Sequence, residues 1–245
     1  MLWYKAWRES RTRFALSGLS IAVLCAGLAF FYSDAARGIT DRPLTYSEYI
    51  WRIVYKGYLR ELFVVLALLL GVGGLLRERD YGSAGFTLAL PVSRAQILAW
   101  KAAAGIIEVA ALSFVPAMLV PLCSEFAGTS YPWAQALEFG LLWLVGGTFV
   151  FMIGFLASTV LGGEYSAPVA ALIALLLYSG AAEAPFPERY LPNVHDFMSG
   201  TGMPYFRSAD FVLSGPLPWT QIAVMLLMSL ALFEASSRIL HRRDF

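Results

Sequence analysis

The sequence predicts an all-α integral membrane protein. It has six transmembrane helices, an N-terminal helix lying in the membrane interface, and a short cytoplasmic helix between spans two and three. Three observations predict this. First, of 245 residues 58% are hydrophobic and only 14% charged, against about 25% charged in a soluble domain. The mean hydropathy is +0.64. Second, uncharged runs recur near the length of about 20 residues that a bilayer core demands of a helix. Third, the polar residues gather in compact segments between those runs. A net charge of +1 offers no electrostatic basis for binding nucleic acid.

The chain opens with "MLWYKAWRESRTRF". At 100° per residue Trp3, Trp7, Ser10 and Phe14 share one face, and Lys5, Arg8, Glu9 and Thr12 lie opposite. Such a helix, residues 1–13, suits the headgroup plane, with Trp3 and Trp7 as anchors in membrane lipid. The first span, 14–33, is uncharged over 20 residues. That exceeds the apolar core of a cleaved leader, about 7–15 residues, so a retained span is expected.

Residues 34–56 form an external segment whose aromatic-rich "TYSEYIWRIVYKGYLRE" is expected to turn helical as it re-enters the membrane. The second span, about 57–77, starts before Tyr58 and carries Arg60 and Glu61 near its outer end. The third covers about 97–124, the fourth 137–161, the fifth 165–182 and the sixth 218–239. Residues 183–217, rich in Pro, Gly and aromatics, read as an external loop with at most short helices.

An even number of spans puts both termini on one side. With the N-terminus inside, eleven of the 18 Lys and Arg residues fall inside and seven outside. The positive-inside rule therefore places both termini in the cytoplasm of a cell's inner (plasma) membrane.

Few residues invite chemistry. Cys25 and Cys123 sit inside apolar runs without metal-ligand neighbours. The His195-Asp196 pair has no second ligand set and no nucleophile at a recognised spacing, and reads as a hydrogen-bonded loop pair. No catalytic, metal or cofactor residue is expected in this chain. Glu108 falls inside the third span. An acid there must face the bundle or a wet cavity. It serves either as a substrate or ion contact or as a buried hydrogen bond or subunit contact. The glycine clusters Gly71-Gly73-Gly74 and Gly146-Gly147 and the small-residue row Gly154–Ser158 permit close helix packing.

The most polar internal segment is "RERDYGSAGFTLALPVSRAQILAWK", Arg77 to Lys101. Arg77–Tyr81 extends the second span. Gly82 and Gly85 allow sharp turns. Phe86, Leu88 and Leu90 make a short apolar surface that Pro91 ends. Ser93 to Gln96 then fits a Ser-x-x-Gln capping box before the third span. A short rigid helix held beneath the membrane is what a membrane subunit needs to receive a push from a soluble partner.

These residues resemble the coupling-helix region of the ABC type-2 transporter permease family. The resemblance rests on acids ending span two, a glycine, a leucine-rich turn, "LPVSR", and "ILAWK" opening span three. The basic amphipathic start is similar to that family's elbow helix, and the six-span plan covers the whole chain. Many relatives have threonine after the glycine; here Ser83 stands there. The resemblance implies that Glu78, Asp80, Gly82, Leu90, Pro91, Ser93 and Arg94, within segment 78–94, form or brace the contact with a separate ATPase subunit. No G-x-x-x-x-G-K-[ST] loop occurs, so ATP and Mg would be bound by that partner. The resemblance further implies a second permease subunit, identical or related. Two other readings stand beside this ATP-driven exporter: a sensor or assembly factor that moves nothing, and a membrane enzyme using loop 183–217.

Overall fold

The computed structural model describes residues 2–32, 44–72, 93–161, 165–183, 191–201, 206–207 and 210–242. Among them, eight α-helices account for nearly all the regular structure. They are α1 (Leu2–Phe30), α2 (Tyr46–Ile50), α3 (Tyr58–Gly71), α4 (Arg94–Phe126), α5 (Trp133–Val160), α6 (Ser166–Ala182), α7 (Val194–Ser199) and α8 (Trp219–His241). A π-helical turn, Trp51–Tyr55, continues α2. The two-residue strands β1 (Phe206–Arg207) and β2 (Val212–Leu213) pair antiparallel.

Four helices are long and apolar enough to cross a membrane: Ser10–Phe30, Ala95–Phe126, Trp133–Val160 and Trp219–His241. Two more apolar helices are shorter, α3 with 14 residues and α6 with 17. The observed limits of α4, α5, α6 and α8 fall within a few residues of the spans read from hydrophobicity. Ser93 starts α4 through a reciprocal capping box: its Oγ accepts from Gln96 N, and its own N donates to Gln96 Oε1, each at 3.2 Å.

The amphipathic start departs from expectation. No break separates residues 1–13 from the first span, because Leu2–Phe30 is one 29-residue helix. No Pro or Gly precedes Gly18, so nothing local stops the helix, and packing of α1 against α4 carries it straight on. Trp7 is exposed and its ring lies 5.5 Å from that of Phe14; the side chain of Trp3 lies outside the described residues.

The second span departs in its start. The helix entering it begins at Tyr58, after a break at Lys56-Gly57. A Cβ on Gly57 would stand 2.4 Å from the Arg52 carbonyl oxygen, so the sharp break needs glycine. The segment ahead of it, residues 46–55, is helical as expected, and within the Pro- and Gly-rich loop residues 194–199 form a short helix.

Helix α5 is the hub. It packs against α3, α4, α6, α7 and α8, and Phe139, Trp143 and Phe151 are fully buried along it. Its closest neighbour is α3. A Cβ on Gly71 would meet the Phe151 carbonyl oxygen at 2.3 Å, and one on Gly154 the Leu68 carbonyl oxygen at 2.4 Å. Backbone therefore touches backbone, the small-residue packing that membrane helices use where no hydrophobic effect drives them together. Exposed aromatics mark both ends: Tyr4, Trp7, Trp100 and Tyr165 near the end holding both termini (the proximal end), and Tyr58, Phe126, Trp133 and Trp219 near the distal end. Such rings suit the two water–lipid boundaries.

Candidate functional site: the flanks of the charged segment

The charged segment read from the sequence leaves α3 after Val72 and rejoins the helical bundle at Ser93. Glu78, Asp80, Gly82, Leu90 and Pro91 lie outside the described residues. Ser93 is the cap of α4 and Arg94 its first residue; the Arg94 side chain is not described. The flanks therefore define the site.

The last carbonyls of any helix have no partner within it and carry partial negative charge. At the end of α3 a cation from another helix meets them. Arg13 Nη1 of α1 donates to Val72 O at 2.8 Å and to Leu69 O at 3.4 Å. One turn earlier on the same face, Ser10 Oγ donates to Glu108 Oε1 of α4. Glu108 is 1% exposed, and its other oxygen, Oε2, is buried without a hydrogen-bond partner among the described residues. Arg13 is also close enough for its charge to attract the carboxylate. Glu108 thus faces the bundle, as an acid within a span must. Sequence reading placed Arg13 among orientation-setting cations and missed its bond to α3. The three-residue spacing of Ser10 and Arg13 sets both on one helix face but names neither partner.

The distal end is built from rings and backbone-directed hydrogen bonds. Trp51 stacks on Phe206 with centroids 4.9 Å apart and donates from Nε1 to Ser199 O at 2.9 Å. Lys56 Nζ sits 5.0 Å from the centre of the same Trp51 ring. Gln135 pairs with the Leu213 backbone in both directions, at 2.7 and 2.8 Å. Tyr55 stacks on Phe139 at 4.1 Å and lies edge-on to Trp143. Burial pushes the Tyr55 and Tyr131 phenols well above the ordinary tyrosine range.

His195 belongs to this distal framework. Asn193 caps α7 by accepting from His195 N at 2.9 Å. Arg60 Nη1 donates to His195 O at 2.9 Å while Nη2 meets Glu61 Oε1 at 2.5 Å, and His195 Nδ1 lies 3.4 Å from that oxygen. Arg60 and Glu61 act as a clasp between α3 and α7. His195 lies in the short helix α7 and is hydrogen-bonded through its backbone N–H and carbonyl, while its ring Nδ1 has no hydrogen-bond partner among the described residues.

Two grooves of about 570 Å³ each flank α8. One lies among α5, α6 and α8, with Phe149, Tyr178 and Met228 in its wall. The other lies among α4, α5 and α8, with Ala103, Leu144 and Leu226 in its wall. Their linings are almost wholly apolar, fit for hydrocarbon and not for an ion.

Four helices long and apolar enough to cross a membrane, with a charged segment between α3 and α4, define a multi-pass membrane protein. The chain belongs to the ABC-2 family transporter proteins, whose profile it matches over residues 16–244. No individual curated protein matches it. Membership makes it a multi-pass membrane protein with a permease role and not itself a catalyst.

Proposed function

We propose that this chain is the transmembrane permease subunit of an ATP-driven exporter, powered by a separate ATPase that engages residues 78–94. The observation carrying this is the convergence of α1, α3 and α4 at Val72 and Glu108, beside the segment that resembles a coupling helix. The family assignment supports the permease role. The absence of a phosphate loop from this sequence supports leaving ATP and Mg to the partner.

In this reading the chain crosses the inner membrane six times, with both termini cytoplasmic, and α3 and α6 supply the two spans beyond the four long helices. It pairs with a second permease subunit, identical or related. ATP binding draws two ATPase subunits together. Each presses on a segment 78–94, and a central path between the permeases changes access. ATP acts through its unequal affinity for the two states.

The test is the chain purified from its own host in mild detergent, with co-purifying proteins identified by mass spectrometry. A stoichiometric ATPase bearing the phosphate-loop motif is expected. Replacing Glu78 and Asp80 together with Ala should then uncouple ATP hydrolysis from export while the protein stays folded. Unchanged export and unchanged ATPase stimulation in that double variant would sink the assignment of segment 78–94. Bound ATPase without export of any tested cargo would point to the sensor role.

A further inference from the structure

We infer that α1 is a third strut of the force-receiving unit, held to α3 and α4 by a latch of Ser10, Arg13 and Glu108, which act as positioning residues. Its role in coupling rests on the function proposed above; the latch itself does not.

One turn of α1 reaches in two directions. Arg13 holds the last carbonyls of α3, Leu69 O and Val72 O. Ser10 holds Glu108, which lies 14 residues into α4, about 21 Å along the helix axis at 1.5 Å per residue. The helix that leads into residues 73–92 and the helix that follows them are therefore tied to the same turn of a third helix. The Glu108 tie is the one that water replaces only at a cost. Glu108 is 1% exposed, and the α3 carbonyls sit at a helix end where a cation is the favourable partner. Burial of Glu108 strengthens its bond to Ser10.

Below the latch, α1 and α4 both continue to the proximal end as unbroken helices. Packed helices have discrete arrangements and do not flex continuously. A shift at the end of α3 or the start of α4 therefore carries α1 with it. The same latch explains why residues 2–13 continue the first span instead of lying flat: Ser10 and Arg13 fasten them upright.

Spin labels at Arg8→Cys on α1 and Ile107→Cys on α4, two exposed positions, test the latch in a Cys25→Ala, Cys123→Ala background. The chain is held in lipid nanodiscs without any partner. The intact latch should give one narrow distance distribution. Glu108→Leu should broaden it, and Glu108→Gln should keep it narrow, because the amide oxygen still accepts from Ser10. If Glu108→Leu does not fold, Ser10→Ala removes the same bond. A distribution equally narrow in the latch-broken variant overturns the latch.

The second readout is ATP turnover of the co-purified complex. Arg13→Gln and Glu108→Leu should each lose about tenfold of the ATPase stimulation, with Glu108→Gln close to wild type. Full stimulation in both broken variants overturns the coupling role, since a merely structural pin would lower only the unfolding midpoint. A wild-type chain that captures no ATPase counts against the proposed function, and the coupling role falls with it. The distance measurement then still decides the latch.

Discussion

At the distal end Trp51 lies flat against Phe206, Tyr55 against Phe139, and Gln135 grips both backbone groups of Leu213. Toward the proximal end Arg13, Ser10 and Glu108 join three helices through polar contacts. The two ends differ in what a displacement would destroy. Distal rings are buried and shape-matched, so moving them forfeits packing over large areas. Proximal contacts are short, polar and directional. They hold geometry by direction, and they move as a unit if the helices they join move together. The distal end is thus built as a platform and the proximal end as a linkage. Force arriving at residues 78–94, as proposed, would enter at the end able to transmit it.

The difference can be broken or sharpened by substitution. The largest expected effect is Trp51→Ala, which removes the stack on Phe206 and the bond to Ser199 O. A loss of about 3–5 kcal/mol is expected, read from chemical unfolding of the detergent-solubilised chain. A loss below about 1 kcal/mol would mean that the distal end is no platform. Next is Gly154→Val, whose added atoms meet the Leu68 carbonyl oxygen, 2.4 Å from the new Cβ. About 3 kcal/mol is expected, at the top of the overpacking range because backbone must yield.

Gln135→Leu comes third. It leaves the Leu213 N–H and carbonyl without their partner, for an expected loss of about 1–3 kcal/mol. Replacing Arg13 with Gln should cost about 1 kcal/mol in the same assay, while its effect on ATP turnover is far larger. That inversion is the sharpest form of the comparison: distal changes lower stability, proximal changes lower coupling. An Arg13→Gln chain as unstable as Trp51→Ala would erase it.

The smallest effect concerns pH. The Tyr55 and Tyr131 phenols are raised above the ordinary value of 10.0 by burial. Above about pH 10 the unfolded chain sheds these protons while the folded chain keeps them. The folded state then binds more protons, so stability falls as pH rises. Unfolding followed from pH 9 to 11 should show the decline, and Tyr55→Phe should make it shallower. An identical decline in that variant would remove Tyr55 from the account.

Much of this was legible in the residues. Apolar run length located α4, α5, α6 and α8, because a bilayer imposes one length on any crossing helix. Ser93 and Gln96 announced the start of α4, because a capping box is closed within four residues. The helicity around Tyr46–Tyr55 followed from its aromatic pattern. The latch was not legible. Ser10 bonds a residue 98 positions away and Arg13 one 59 positions away, and no periodicity in either segment encodes the other. For the same reason the separate interfacial helix expected from Trp3 and Trp7 is continuous with the first span: its amphipathic pattern fits a membrane surface and the flank of α4 equally well.

By itself, then, the sequence determined the membrane, the limits of most crossing helices, the charged segment between α3 and α4, and the family, since each rests on local composition or short spacing. Tertiary structure alone decided which face of α1 meets α4, that Gly71 and Gly154 touch backbone to backbone, and that the clasp of Arg60 and Glu61 closes on His195. Those contacts join residues far apart in the chain, and only the packing of helices around α5 brings them within reach.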